Sequence, residues 1–143
     1  FYRIHEYTHE SSNKSYGAEA AEKMGVPEKR VFKTLLVNLG GKELAVGVVP
    51  VSSMLSMKHI AKATGSKKAK MAVASDVERS TGYILGGVSP LGQKKKLRTI
   101  IDSSAKYYPT KFVSAGRRGL EIELKPNDLE KLTKGKFAEI CQQ

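Results

Sequence analysis

The residues best placed to do chemistry lie in Thr81 to Lys95, TGYILGGVSPLGQKK, where Gly82, Gly86, Gly87, Gly92 and Pro90 interrupt an apolar run. The stretch leads into the cationic string Lys94, Lys95, Lys96 and Arg98. Glycine lets bare backbone amides approach a ligand closely. Such amides can polarise a carbonyl, and nearby lysines can hold phosphate. A second glycine-flanked turn, Ser114 to Gly119 (SAGRRG), adds Arg117 and Arg118. Lys33 interrupts the apolar run VFKTLLV, so its amine must snorkel to solvent, pair with an acid or point into a polar site.

Several chemistries are excluded by spacing. GGVSPLG is not a P-loop, because GxxxxGK[ST] is absent, and no GxGxxG opens a helix. The GxSxG nucleophile elbow is missing although Ser89 follows a glycine pair. Three histidines, His5, His9 and His59, give little from which to assemble a Ser–His–Asp triad. His5, Glu6 and His9 match HExxH, which binds zinc only on a helix. The surrounding FYRIHEYT alternates like a strand, where residues four apart are separated by about 13 Å. No metal and no cofactor are expected. Backbone-centred recognition remains, against the plainer account that the glycines only make turns.

The elements that must position these groups are legible from pattern. Strands are expected at Phe1–Thr8, Val31–Val37, Glu43–Val49, Leu97–Ile101, Lys111–Ser114 and Leu120–Leu124, with Asn38, Gly40 and Gly41 turning the second into the third as a hairpin. Helices are expected at Gly17–Met24, from the Ser56 cap through Thr64, from a Ser75/Glu78 capping box to Gly82, and from Pro126 to about Thr133. Ser11–Ser15 reads as a polar loop and Lys134–Gln143 as a tail. The 143 residues suit one domain, with 25 Lys and Arg against 14 Asp and Glu giving a net charge of +11. That excess points to a polyanionic partner. One cysteine, Cys141, excludes an internal disulfide. No stretch approaches the roughly 20 apolar residues of a membrane helix. The chain opens at Phe1 with no visible signal peptide, so further residues ahead of it and a cytoplasmic location are expected.

VFKTLLV, TGYILGGVSPLGQKK and VSAGRRGLEIEL occur in an order that resembles the YbaK/EbsC group of aminoacyl-tRNA deacylases. These are free-standing relatives of the editing domain inserted in bacterial prolyl-tRNA synthetases, and the likeness runs from HEYTHE to LEKLTKGKFAEI. The pattern is most similar to the Cys-tRNA(Pro) deacylase branch. The resemblance implies a mixed α/β fold: a single domain over residues 1–143 with a strongly curved, barrel-like mixed sheet flanked by short helices. It implies hydrolysis, in trans, of the ester joining a wrong amino acid to tRNA(Pro), with prolyl-tRNA synthetase as a possible partner. Lys33 falls on the family's lysine beside the terminal nucleotide, and Gly86 on the backbone contact to the reacting ester. Tyr7, Tyr16, Thr34, Ser89, Pro90, Ser114 and Glu121 fall on or beside the aminoacyl pocket. Tyr16 stands where relatives carry phenylalanine, and Glu121 where they carry aspartate or serine. In that branch the substrate's own thiol attacks its carbonyl, which accounts for the missing nucleophile.

Lys67, Lys68, Lys70, Lys94, Lys95, Lys96, Arg117 and Arg118 are the expected tRNA contacts. Two other readings stay open: a non-catalytic basic RNA-binding module, and an editing deacylase for alanine.

Overall fold

The hairpin is the central device. β2 (Phe32–Gly40) and β3 (Glu43–Pro50) pair antiparallel, with Lys33 opposite Val49 and Leu36 opposite Val46. The Asn38 carboxamide oxygen accepts from the Gly40 N–H at 2.7 Å and closes the turn. β3 is buried from Ala45 to Pro50, as a strand covered on both faces must be. The computed structural model describes residues 2–10 and 16–142. The expected Ser11–Ser15 loop and the side chain of Tyr16 lie outside the described residues.

The other elements are β1 (Tyr2–Glu6), α1 (Tyr16–Met24), α2 (Met57–Thr64), β4 (Lys70–Met71), α3 (Ala74–Thr81), β5 (Arg98–Asp102), β6 (Lys111–Arg117), β7 (Leu120–Leu124), α4 (Pro126–Thr133) and β8 (Lys136–Ala138). They form two sheets. One is antiparallel in the order β1-β7-β6; the other is mixed, β4-β2-β3-β5-β8, with β5 parallel to both β3 and β8. Side chains alternate across the mixed sheet. Phe32, Leu36, Val46 and Val48 pack with Val113, Leu124, Val77 of α3 and Leu129 of α4. Val37, Ala45, Val49 and Ile100 pack on the other face with Ile60 of α2 and Ile140. α1 joins through Ala20 and Ala21 against Val31 and Phe112.

This corrects the expected barrel-like sheet. Among the described residues a single bridge, Val31 to Phe112, links the two sheets, and no ladder extends from it. β4 meets β2 only at Val37 and Asn38, so among the described residues the edge of β2 over Lys33–Leu35 has no strand partner. On β6 a register shift between Ser114 and Arg117 bends the strand locally. The fold is mixed α/β with open sheets.

Three local expectations also change. α3 is capped at Val73, which places Ser75 inside the helix and rules out the capping box. The Ser114–Gly119 turn is mostly strand, since β6 runs on to Arg117. The expected tail contains β8, and beyond it Ile140 is fully buried, its N–H donating to the Asp102 carboxylate at 3.0 Å. Ser56 caps α2 as expected, accepting from the His59 N–H at 3.1 Å.

Candidate active site

The unpaired edge of β2 becomes the wall of a cavity of ≈ 280 Å³. Val31 to Leu35 form one side, Leu85, Gly86 and Val88 another, and Ser114, Arg118 and Glu121 a third, with Tyr7, Gly17 and Val51 completing it. The Leu36 carbonyl accepts from the Ala72 N–H at 3.0 Å on the side away from β3. In an antiparallel strand the main-chain groups of alternate residues face the same way. The amide and carbonyl of Thr34 therefore turn toward the cavity, along that uncovered edge. The Thr34 hydroxyl is buried and, among the described residues, has no hydrogen-bond partner. Two main-chain groups of Thr34 thus face the cavity, beside a buried hydroxyl without a partner among the described residues.

The charged groups around this edge are perturbed by burial. Lys33 is half-buried, and desolvation lowers its amine below the ordinary lysine value, with Cys141 opposing. Glu121 is 6% exposed, and burial pushes its carboxyl up to about 8. Burial also raises the Tyr7 phenol. A cavity that holds an amine, a readily protonated acid and free backbone donors can orient a ligand with ammonium, carbonyl and phosphate groups.

Tyr83 organises the glycine loop. Its hydroxyl donates to the Leu91 carbonyl at 2.5 Å, and its N–H donates to the Thr81 hydroxyl at 3.0 Å. Gly87 packs so tightly that a Cβ there would stand 3.1 Å from Arg117 Cα. Gly86 has φ 89, a left-handed value that favours glycine. Arg118 then straps the loop down, donating from Nη2 to the Leu85 carbonyl at 3.3 Å. From the other side the Tyr7 N–H donates to the Gly119 carbonyl at 2.9 Å.

The sequence profile of the aminoacyl-tRNA editing domain matches residues 10–132. The chain belongs to that family. EbsC of Enterococcus faecalis, named as a candidate Cys-tRNA(Pro)/Cys-tRNA(Cys) deacylase, is 44% identical over 137 residues, covering 94% of this chain and 83% of that protein. YwhH of Bacillus subtilis, an uncharacterized protein, is 30% identical over 125 residues, covering 87% and 79%. A crystal structure described as a candidate trans-editing enzyme for prolyl tRNA synthetase superposes with a TM-score of 0.88 at 22% identity, over 99% of this chain and 87% of that one. That likeness shows a shared fold.

The editing domain brings together Lys33, Thr34, Gly86, Tyr7, Ser114, Glu121 and Arg118 of the residues expected from sequence. Ser89 and Pro90 are not among the residues that line the cavity. Ser89 is buried under the loop, where its hydroxyl accepts from the Leu91 N–H at 3.1 Å, and Pro90 borders a separate groove with Lys95 and Lys96. Lys68 and Lys70 flank the far end of the hairpin beside Asn38, Gly40 and Gly41, with exposed Lys67 adjoining them in the chain. Lys94 and Lys95 run along the end of α3, their N–H groups donating to Thr81 and Ser80. Arg117 is exposed, its guanidinium 3.9 Å from Glu6.

The HEYTH histidines serve different carboxylates: His5 meets Glu123 at 2.8 Å from β1, and His9 meets Glu19 at 2.6 Å. Among the described residues no His, Cys, Asp and Glu group is arranged to hold a metal. Sequence reasoning missed Phe32, Leu85 and Tyr83. The first two adjoin Lys33 and Gly86 in the chain, which was a usable signal; nothing in the sequence marks Tyr83 apart from other tyrosines.

Proposed function

We propose that this editing deacylase acts in trans on Cys-tRNA(Pro), carries the activity in a single domain over residues 1–143, and leaves the bond-breaking nucleophile to its substrate. The observation that supports this reading is the composition of the cavity wall. Lys33, Arg118 and Glu121 meet there, but among the described residues no histidine or cysteine lines it, so Thr34 and Ser114 have no imidazole to activate them.

In this reading Lys33 and Arg118 take the phosphate and ribose side of the terminal nucleotide. The Glu121 carboxylate faces the α-ammonium of the aminoacyl group, and the backbone around Gly86 and Thr34 holds the ester carbonyl. The cysteinyl sulfur attacks the carbonyl carbon, a C–S bond forms, and the C–O bond to the ribose breaks. The proton lost by the thiol passes to the departing ribose oxygen, giving a thiolactone and free tRNA. Holding nucleophile and ester in one geometry supplies about 7–11 kcal/mol of such a barrier. The protein then needs to orient and to stabilise the oxyanion.

The +11 charge supports tRNA as the partner, and the likeness to EbsC supports tRNA(Pro). Prolyl-tRNA synthetase is the partner suggested by the description of the structural neighbour. Among the described residues no helix is long and apolar enough to cross a membrane, which accords with a cytoplasmic site of action.

The test is a deacylation panel of cysteinyl, alanyl and seryl esters on proline-, cysteine- and alanine-accepting tRNA. Fast loss of cysteine alone is expected. Equal loss of alanine would remove the substrate thiol from the mechanism.

A further inference from the structure

Lys111 opens β6 and is fully buried, at 0% exposure. Its Nζ lies 3.5 Å from the centroid of the Phe32 ring. Among the described residues that nitrogen has no hydrogen-bond partner. Burying an ammonium without partners is costly, and the face of an aromatic ring is the compensation this position offers. The ring in question is not a remote core residue. Phe32 lines the cavity and immediately precedes Lys33 and Thr34 on the unpaired edge of β2.

We propose that Lys111 is a positioning residue for the editing site: its ammonium, seated on the face of Phe32, fixes that ring and the strand segment that presents Lys33 and Thr34. The contact belongs to the protonated form, because neutral lysine has no charge for the ring quadrupole to attract. Burial lowers the amine to about 7, against the opposing pull of Asp102, so both forms are populated near neutral pH. Asp102, at the end of β5, is the charged group that faces Lys111, and its oxygens are engaged by Ser104 and by the Ile140 N–H. A core needing only volume here would be filled as well by methionine, without the desolvation cost.

The inference rests on reading the cavity as the aminoacyl site, so it is tested in two ways. In the free protein, ring resonances of Phe32 should titrate with a midpoint near pH 7, and the titration should vanish in Lys111→Met. Rings that do not titrate, or that titrate unchanged in the variant, overturn the proposal whatever the substrate proves to be. The second readout is the kcat/KM for Cys-tRNA(Pro) of wild type relative to Lys111→Met. The ratio should be about two- to fivefold near pH 6 and approach one near pH 8.5, as expected for a contact of cation–π strength. Taking the ratio cancels the titration of Glu121 and of the substrate thiol. A ratio that is the same at both pH values would mean that Lys111 is merely structural, and the proposal fails. If neither protein cleaves this ester, the assigned substrate is wrong, while the ring titration still decides the role of Lys111.

Discussion

The cavity and the lysine clusters are built on opposite plans. The cavity draws Tyr7, Lys33, Gly86, and the pair Ser114 and Glu121 from four separate stretches, and each is fixed by a strand register or by a tight backbone contact. Lys67, Lys68 and Lys70, and Lys94 to Lys96, are each close together in sequence, exposed, and set beside different grooves. Chemistry needs geometry held to fractions of an ångström, which only long-range packing provides. Attraction of a polyanion needs charge on a surface, and side-chain flexibility costs it little. Substitutions in the cavity should therefore change the rate of the chemical step, whereas those in the clusters should change affinity and its salt dependence.

The sharpest break in that contrast is Lys33→Ala. It should lower kcat/KM for Cys-tRNA(Pro) by about 10²–10³-fold, the scale of losing one preorganised electrostatic contact. The circular dichroism should stay native; a loss confined to KM would move Lys33 into the same class as the surface lysines. Gly87→Ala comes next. Its Cβ would press on Arg117 Cα at 3.1 Å and displace the loop that carries Gly86. A fall in kcat of about tenfold to 10²-fold is expected from such a shift, measured in single turnover.

Smaller effects should follow from charge removal at the surface. Replacing Lys94, Lys95 and Lys96 by Gln should raise KM several-fold and flatten the dependence of log K on log salt by about 0.7 for each phosphate that the variant no longer neutralises. kcat should be unchanged. A drop in kcat would show that this cluster helps to place the ester.

Glu121 ties the stability of the cavity to pH. Its folded pKa of about 8 lies above the ordinary 4.5, so the native state binds more protons than the unfolded state between those values. Stability should fall as pH rises through that window. Glu121→Gln should remove the slope, leaving the variant more stable than wild type above pH 8 and no different near pH 4, as read from urea denaturation. If the carboxylate meets the α-ammonium, the ratio of wild-type to variant kcat/KM should rise toward pH 8, the titration of the substrate thiol cancelling in the ratio.

The cavity was legible to the extent that its residues sit in recognisable runs. VFKTLLV carried Lys33 and Thr34, and SAGRRGLEIEL carried Ser114, Arg118 and Glu121. Alternation located most strands, because a half-buried strand repeats every two residues. It does not name partners, so it cannot tell two open sheets from one barrel-like sheet. β8, at three residues, is too short to show a period. Ser89 and Pro90 share the glycine loop with Gly86 and Val88, yet the Ser89 hydroxyl is taken by the Leu91 N–H and Pro90 borders another groove. In sequence Lys111 resembles any surface lysine; only the packing of β6 against Phe32 buries it.

The pairing of β1 with β7 has a consequence for how the chain is made. His5 meets Glu123 across 118 residues of sequence. At roughly 5–20 residues per second of synthesis, β1 waits on the order of 10 s for its partner. An apolar strand left unpaired that long invites wrong partners. β1 instead alternates Tyr2 and Ile4 with Arg3, His5 and Glu6, and Tyr2, Arg3 and Ile4 stay exposed even after folding. The strand that brings the chain to Tyr7 is thus suited to a long wait on the ribosome: its charged residues disfavour wrong pairing, and it is too short to fold alone.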